Sequence, residues 1–273
     1  MNHPQIAAFP RLAKENQAPT RSLQGQNTLI SRTMHDIHYD SLHDEILVNS
    51  PLTQAILVFD GGANGEEAPK RVIQGSKTQI LGVGAMDKVS FDPSTGDIYL
   101  ATARHNIVVF PYGSNGDVAP VRTLGGPDTL IRFIDQTVGS GNTPPIRVDP
   151  INNLLVVPTR PPGQIPGLLI FDKNASGNTK PLRVIRGPKT QIAGGQQMAI
   201  SPKGYIVGGA TGGAIGVWSV FDDGDIPPKW RIPVRQMTQL NVNGIDLNHR
   251  DKELMVPTGN GNTVMTFYFP EIF

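Results

Sequence analysis

Ala68-Pro69-Lys70-Arg71-Val72-Ile73-Gln74-Gly75-Ser76-Lys77-Thr78 decides how the chain is read, because it recurs. Ala119-Pro120-Val121-Arg122 repeats it with Gly126 and Thr129, and Pro181-Leu182-Arg183 with Gly187 and Thr190. An early copy is Ala18-Pro19-Thr20-Arg21 with Gly25 and Thr28, and a degraded one runs from Pro228 through Arg231 to Thr238. Pro, Arg, Gly and Thr at fixed offsets in four copies, with the degraded fifth, mark a structural repeat.

A second marker keeps step with the first. Ile56-Leu57-Val58-Phe59 matches Ile107-Val108-Val109-Phe110, Leu168-Leu169-Ile170-Phe171, Ile215-Gly216-Val217-Trp218 and Val264-Met265-Thr266-Phe267. The aromatics Phe59, Phe110, Phe171, Trp218 and Phe267 are spaced by 51, 61, 47 and 49 residues. A period near 50 residues holding several short strands is the size of a propeller blade.

Two more strands fit in each period. The first is Ile37-His38-Tyr39-Asp40, then Val89-Ser90-Phe91-Asp92, Ile146-Arg147-Val148-Asp149, Met198-Ala199-Ile200-Ser201 and Ile245-Asp246-Leu247-Asn248. The second is Ile46-Leu47-Val48, Ile98-Tyr99-Leu100, Leu154-Leu155-Val156, Tyr205-Ile206-Val207 and Leu254-Met255-Val256. The first set alternates as strands do, and the second is a short apolar strand. Asp-rich turns such as Asp92-Pro93-Ser94-Thr95-Gly96-Asp97 join them. No window has a 3.6-residue period, so almost no helix is expected.

With strands named a to d outward from the channel, the reading is an all-β, five-bladed β-propeller of four-stranded antiparallel blades. It forms one domain over residues 1–273, with a tail at 1–16 and the propeller at 17–269. The last repeat supplies a, b and c but no d. The early copy, Pro19–Gln24, is a lone d strand, so it is expected to close the last blade and remove an open edge. Ile6-Ala7-Ala8-Phe9 reads as a sixth c strand with no place in that ring, and six blades are the alternative.

Composition narrows the function classes. Hydrophobic residues are 38% of 273, enough for a sizeable core, and 30 Gly with 24 Pro suit many tight turns. Lys plus Arg number 24 against 23 Asp plus Glu, which gives no field for nucleic acid or an anionic membrane, so neither is expected as a partner. There is no cysteine, which removes disulfides, thiolate metal sites and a cysteine nucleophile. No apolar run approaches the roughly 18 residues of a membrane span. The first residues lack a signal peptide's pattern, which implies a cytoplasmic protein or one exported with its leader removed. A monomer is expected.

The strand order a–b–c–d, carried by Val89-Ser90-Phe91-Asp92, Gly96-Asp97-Ile98-Tyr99-Leu100-Ala101 and Asn106-Ile107-Val108-Val109-Phe110, resembles the NHL-type propeller repeat. It departs from that family at Ala101-Thr102-Ala103-Arg104-His105-Asn106, where an Asp-x-x-Asn is usual. The resemblance implies binding at one face and no single activity.

Turns a–b and c–d share the bottom face and are short and repetitive, whereas the d–a and b–c loops of the top face vary. His35, Asp87, Pro144, Gln196 and Asn243 each stand two residues before a strand a, and are expected to ring the top mouth of the channel. Arg104, His105 and Asn106 in one b–c loop, with Arg160 in the next, suit an anionic group. The expected binding set is therefore His35, Asp87, Arg104, His105, Gln196 and Asn243, taking a small molecule, glycan or protein. A divalent metal ion is the one cofactor that such a ring suggests. Lactonase-type propellers resemble this layout, and that resemblance implies the alternative function, a metal-assisted lactone or ester hydrolase. The ring lacks their Glu.

Other residues read as structural. The periodic Arg21, Arg71, Arg122 and Arg183 suit outer strands, and Thr28, Thr78, Thr129, Thr190 and Thr238 suit turn-closing hydroxyls. His38 and Asp246, inside strands a, are expected to bond each other or backbone groups. Gly208 to Gly213 is glycine-rich but leads from strand to strand, with no helix to hold phosphate.

Overall fold

A computed structural model of the chain describes residues 5–31, 36–81, 88–133, 145–193, 198–259, 261 and 263–273. The fold is an all-β, five-bladed β-propeller, and the one α-helix among the described residues is Val234–Thr238. An N-terminal pair, β1 (Gln5–Ala8) and β2 (Arg21–Gln24), precedes the blades. Blade 1 is β3 (Asp36–Asp40), β4 (Glu45–Ser50), β5 (Ala55–Asp60) and β6 (Arg71–Gln74). Blade 2 is β7 (Lys88–Phe91), β8 (Ile98–Thr102), β9 (Asn106–Phe110) and β10 (Arg122–Gly125). Blade 3 is β11 (Arg147–Asp149), β12 (Leu154–Thr159), β13 (Gly167–Asp172) and β14 (Arg183–Arg186). Blade 4 is β15 (Met198–Ile200), β16 (Tyr205–Ala210), β17 (Ala214–Ser219) and β18 (Trp230–Ile232). The fifth has β19 (Asp246–Asn248), β20 (Glu253–Pro257) and β21 (Val264–Tyr268). Each sheet runs in chain order, so every connection is local.

The chain divides into two compact units, Met1–Arg104 with Val108–Val121, and His105–Ile107 with Arg122–Phe273. The sequence reading treated it as one domain. The division passes through blade 2.

One expectation is corrected. β2 does not complete the sheet of β21. It pairs antiparallel with β1, in the register Ile6↔Leu23 and Ala7↔Ser22. The last blade is a three-stranded sheet, β19-β20-β21, among the described residues. Ile6-Phe9 was read as a c strand with no place beside the blades; Gln5–Ala8 takes the c position against β2. The physical reason is equivalence. Val58 pairs with Arg71 and Ile170 with Arg183, as Ala8 pairs with Arg21. Two c strands of one pattern compete for a single d strand, and the sequence-adjacent one holds it.

The repeat motif is explained by the rim. Each c–d turn runs alongside the d strand of the preceding repeat and bridges to it in parallel. In the first unit the bridges are Leu23↔Gly65 and Ile73↔Gly116, and in the second Leu124↔Gly177 and Ile185↔Gly224. Leu23, Ile73, Leu124 and Ile185 are all buried, each contributing roughly 1.5–3 kcal/mol of apolar burial. The Gly that ends the d strand lies at φ 136 in Gly75 and 144 in Gly187. A Cβ there would come closer than 3.0 Å to the Asp117 or Asp225 side chain of the following turn. Those carboxylates accept the Lys77 and Lys189 backbone N–H groups at 2.7 and 2.8 Å. The Thr closes the same turn: Thr78 Oγ1 donates to the Gly75 carbonyl at 2.7 Å and accepts the Ile80 N–H at 3.2 Å. Thr28, Thr129 and Thr190 repeat both bonds.

Apolar cores fill the spaces between blades. In the first unit Leu47, Ile56, Val58 and Ile73 of blade 1 pack on Val89, Ile98, Leu100 and Phe110. In the second, Val156, Ile170 and Ile185 meet Met198, Ile206 and Trp218. Gly216 is required there, because a Cβ would strike the Trp218 ring.

Candidate functional site

The bottom face and rim hold polar side chains used for folding. Asp40, Asp92 and Asp149 each close the a–b turn by accepting the N–H two residues on, from Leu42, Ser94 and Ile151. The periodic arginines hold the next turn: Arg21 Nη1 donates to the Gly61 carbonyl at 2.6 Å and Arg183 Nε to the Val220 carbonyl at 2.8 Å. Arg71 makes a bidentate pair with Glu45, both bonds 2.7 Å, and its guanidinium covers the Tyr112 ring at 4.9 Å. Burial pulls the Arg71 guanidinium down, but the Glu45 carboxylate outweighs it and the net direction is up. Tyr39 donates to Asp44 at 2.8 Å, and that carboxylate, with burial second, holds the phenol above its ordinary value.

His38 and Asp246, read as partners for each other or for backbone, have separate neighbours. The His38 ring lies 3.7 Å from the Asp36 carboxylate and edge-on to Phe91, while Asp246 Oδ1 accepts the Leu247 N–H at 2.9 Å.

Of the residues expected at the top mouth, His35, Asp87, Pro144 and Gln196 lie outside the described residues. Asn243 is exposed, and its N–H donates to the Pro257 carbonyl at 3.0 Å. In the first unit, Arg104 is exposed, with its N–H donating to Thr102 Oγ1 at 3.2 Å.

The second unit brings three cationic or titratable side chains to adjoining top-face loops. Arg160, in the b–c loop after β12, donates its N–H to the Arg132 carbonyl at 2.7 Å. Thr159 Oγ1 sits between them, accepting the Arg132 N–H at 3.1 Å and donating to the Leu130 carbonyl at 2.9 Å. Phe133, the next residue, donates its N–H to His105 Nδ1 at 3.2 Å, and the two rings lie 5.7 Å apart. That bond places the neutral imidazole proton on Nε2. His105 itself holds φ 59, a left-handed turn position. Arg160 is exposed; Arg132 is half-buried, with its Nη1 donating to the Ile131 carbonyl at 2.7 Å, and among the described residues neither forms an ion pair with a carboxylate. Arg160 and His105 were visible in sequence. Arg132 was missed, because only a backbone bond between distant loops makes it their neighbour.

The topology and the top-face loops are those of a propeller. Its fold is shared with solved β-propeller proteins. The chain is similar to the β-propeller domain of Cps50 (Swd1) from Myceliophteria thermophila, with a TM-score of 0.53, 11% identity, and 87% of this chain and 66% of that one covered. It is also similar to a chain of the Mitotic Checkpoint Complex, with a TM-score of 0.56, 12% identity, and 91% and 66% covered. The chain thus spans 66% of each neighbour, just under two thirds of its length. At these identities the likeness shows the fold alone. No family model matches the chain, and no curated protein matches it in sequence.

Proposed function

We propose that this propeller is an interaction module whose top face binds an acidic segment of a protein partner. The observation that carries this reading is the Arg132–Arg160 backbone bond, with His105 tied to the adjacent Phe133. Polar groups on the rim and bottom repeat from blade to blade and are used in turns. These three side chains do not repeat, and two guanidinium groups on one strip of backbone suit carboxylates. Of the binding set expected from sequence, His35, Asp87, Arg104, His105, Gln196 and Asn243, it is His105 that lies beside Arg132 and Arg160, and the others stay proposals. One fold neighbour is a chain of an assembly, the Mitotic Checkpoint Complex, which accords with a protein partner.

A labelled ten-residue polyglutamate peptide tests this by fluorescence anisotropy. Binding should weaken steeply between 50 and 300 mM salt, roughly as surface charge pairs are screened. Arg132→Ala with Arg160→Ala should weaken it at least about ten-fold, the change that a loss of about 1.4 kcal/mol gives. Peptide affinity unchanged in the double variant would defeat the proposal. The alternative, a metal-assisted lactone hydrolase, follows from the lactonase resemblance and needs an ion at the ring of His35, Asp87, Gln196 and Asn243. Most of that ring lies outside the described residues, and the interaction reading is preferred on the Arg132–Arg160 bond.

A further inference from the structure

Blade 4 departs from the repeat at one place on its bottom rim. In blade 1, Lys70 and Arg71 stand at the start of the d strand and both meet carboxylates. Arg71 pairs with Glu45, and Lys70 Nζ lies 2.9 Å from Asp60 and 3.3 Å from Glu45. The register fixes the equivalent positions in blade 4. Lys229 donates its N–H to the Val217 carbonyl, as Lys70 does to that of Val58. Trp230 pairs with Val217 as Arg71 pairs with Val58, and Tyr205 pairs with Ser219 as Glu45 pairs with Asp60. Blade 4 therefore keeps the lysine, but Tyr205 and Ser219 replace the two carboxylates and Trp230 replaces the arginine.

The cation rests on ring faces instead. Lys229 Nζ lies 4.8 Å from the centre of the Tyr205 ring and 4.6 Å from that of Trp230. The two rings are 5.2 Å apart and inclined at 77°, so they form two walls of a corner with the ammonium in it. Phe269 stands edge-on to Trp230 at 5.7 Å and braces the second wall. Lys229 Nζ also donates to the Tyr205 hydroxyl at 2.7 Å, and among the described residues no carboxylate pairs with it. The three rings are half-buried and Lys229 is exposed, which leaves the corner open on one side. An aromatic face attracts a cation through its quadrupole, and the attraction grows as the cation sheds water.

We propose that this corner is a receptor for a methylated lysine side chain of a partner polypeptide, with Lys229 as its built-in occupant. Lys229 Nζ stands in for the incoming ammonium. Ring faces without a carboxylate select a cation with few N–H donors, and methylation of a lysine removes donors while keeping the charge. An unmodified lysine offers the rings nothing that the tethered Lys229 does not already supply. The open side suits a side chain projected from a polypeptide, because sites for free small molecules enclose most of the ligand. The corner lies wholly in the second unit, separate from the Arg132–Arg160 loops, and does not rest on the reading of those loops.

The probe is a fluorescein-labelled Gly-Ser-Lys-Ser-Gly peptide whose lysine is trimethylated, titrated by anisotropy with the full chain. Binding should be saturable. It should be at least about ten-fold tighter than that of the unmethylated peptide, or of a neutral isostere with a tert-butyl group in place of the trimethylammonium. Lys229→Ala should tighten it at least about three-fold, because the internal competitor is gone. Tyr205→Phe, which keeps the ring but not the hydroxyl that holds Lys229, should also tighten it. Trp230→Leu and Tyr205→Leu should each weaken it at least about ten-fold in chains that circular dichroism shows to be folded. Absence of saturable binding to the folded Lys229→Ala chain overturns the proposal, as does equal affinity for the unmethylated peptide or the neutral isostere. Choline bound as tightly as the trimethylated peptide overturns it as well, because the ligand is then a small free cation.

Discussion

Gly75→Ala should be among the most damaging single-methyl changes in the molecule. Gly75 sits at φ 136, ψ 175, a region essentially reserved for glycine, where another residue costs about 1–3 kcal/mol. The new Cβ would also come closer than 3.0 Å to three atoms of Asp117. Asp117 must then move, which breaks its 2.7 Å bond to the Lys77 N–H and costs about 1 kcal/mol, the usual value of a cap. The sum is about 2–4 kcal/mol, or a fall in Tm of roughly 5–15 °C for a chain of this size. Gly113→Ala is the comparison: φ is 82 and nothing lies within 4 Å of the added carbon, so only the left-handed cost of about 1–2 kcal/mol remains. The assay is thermal and urea unfolding followed by far-UV circular dichroism. In an Asp117→Ala background, Gly75→Ala should cost about 1 kcal/mol less than in wild type, because the cap is already gone. Strict additivity, or a Gly75→Ala loss no larger than that of Gly113→Ala, would refute the account of the rim.

Two further outcomes follow from the bottom of blade 1. Glu45→Ala should cost about 3 kcal/mol, because it leaves the half-buried Arg71 without its bidentate partner; the check is the same unfolding curve, with Asp60→Ala, an exposed site, changing it by under about 1 kcal/mol. The Tyr39 phenol is raised by Asp44, so its contribution is present below the ordinary tyrosine pKa and is lost as pH rises through the raised value; ultraviolet titration should show it ionising later than an unperturbed tyrosine, and Asp44→Asn should bring it back toward 10.0.

The blades were legible because each repeat solves the same steric problem with the same residues. Gly75, Gly126 and Gly187 must lack a Cβ, and Thr78, Thr129 and Thr190 close the same turn, so their spacing survives in the sequence. The degraded fifth copy shows the limit. It has no such Gly, and Thr238 Oγ1 bonds the Val234 carbonyl four residues back, so a short helix replaces the 3-10 turn. The partner of β2 was not legible. Ile6–Phe9 and Val264–Phe267 carry equivalent patterns, and alternation alone does not rank two strands that match the same neighbour. For the same reason the exposure of Ile37 and Tyr39 was not legible, because their strand alternates like any buried strand a. Of the candidate site, the exposed Arg104, Arg160 and Asn243 stood out as residues that do not repeat, whereas Arg132 gains its place through a bond from Arg160 to its carbonyl.

The N-terminal sheet exists only if β2 is held by β1. The chain has no cysteine, so an engineered pair gives an unambiguous readout. Ala7 and Ser22 face each other in the observed register, and Met265 is the counterpart of Ala7 in the competing c strand. Oxidation of the Ala7→Cys/Ser22→Cys chain, followed by mass spectrometry of its proteolytic fragments, should yield an intramolecular disulfide. If that pair stays reduced while Ser22→Cys/Met265→Cys closes, β2 belongs to the last blade and the account of the N-terminal sheet is wrong.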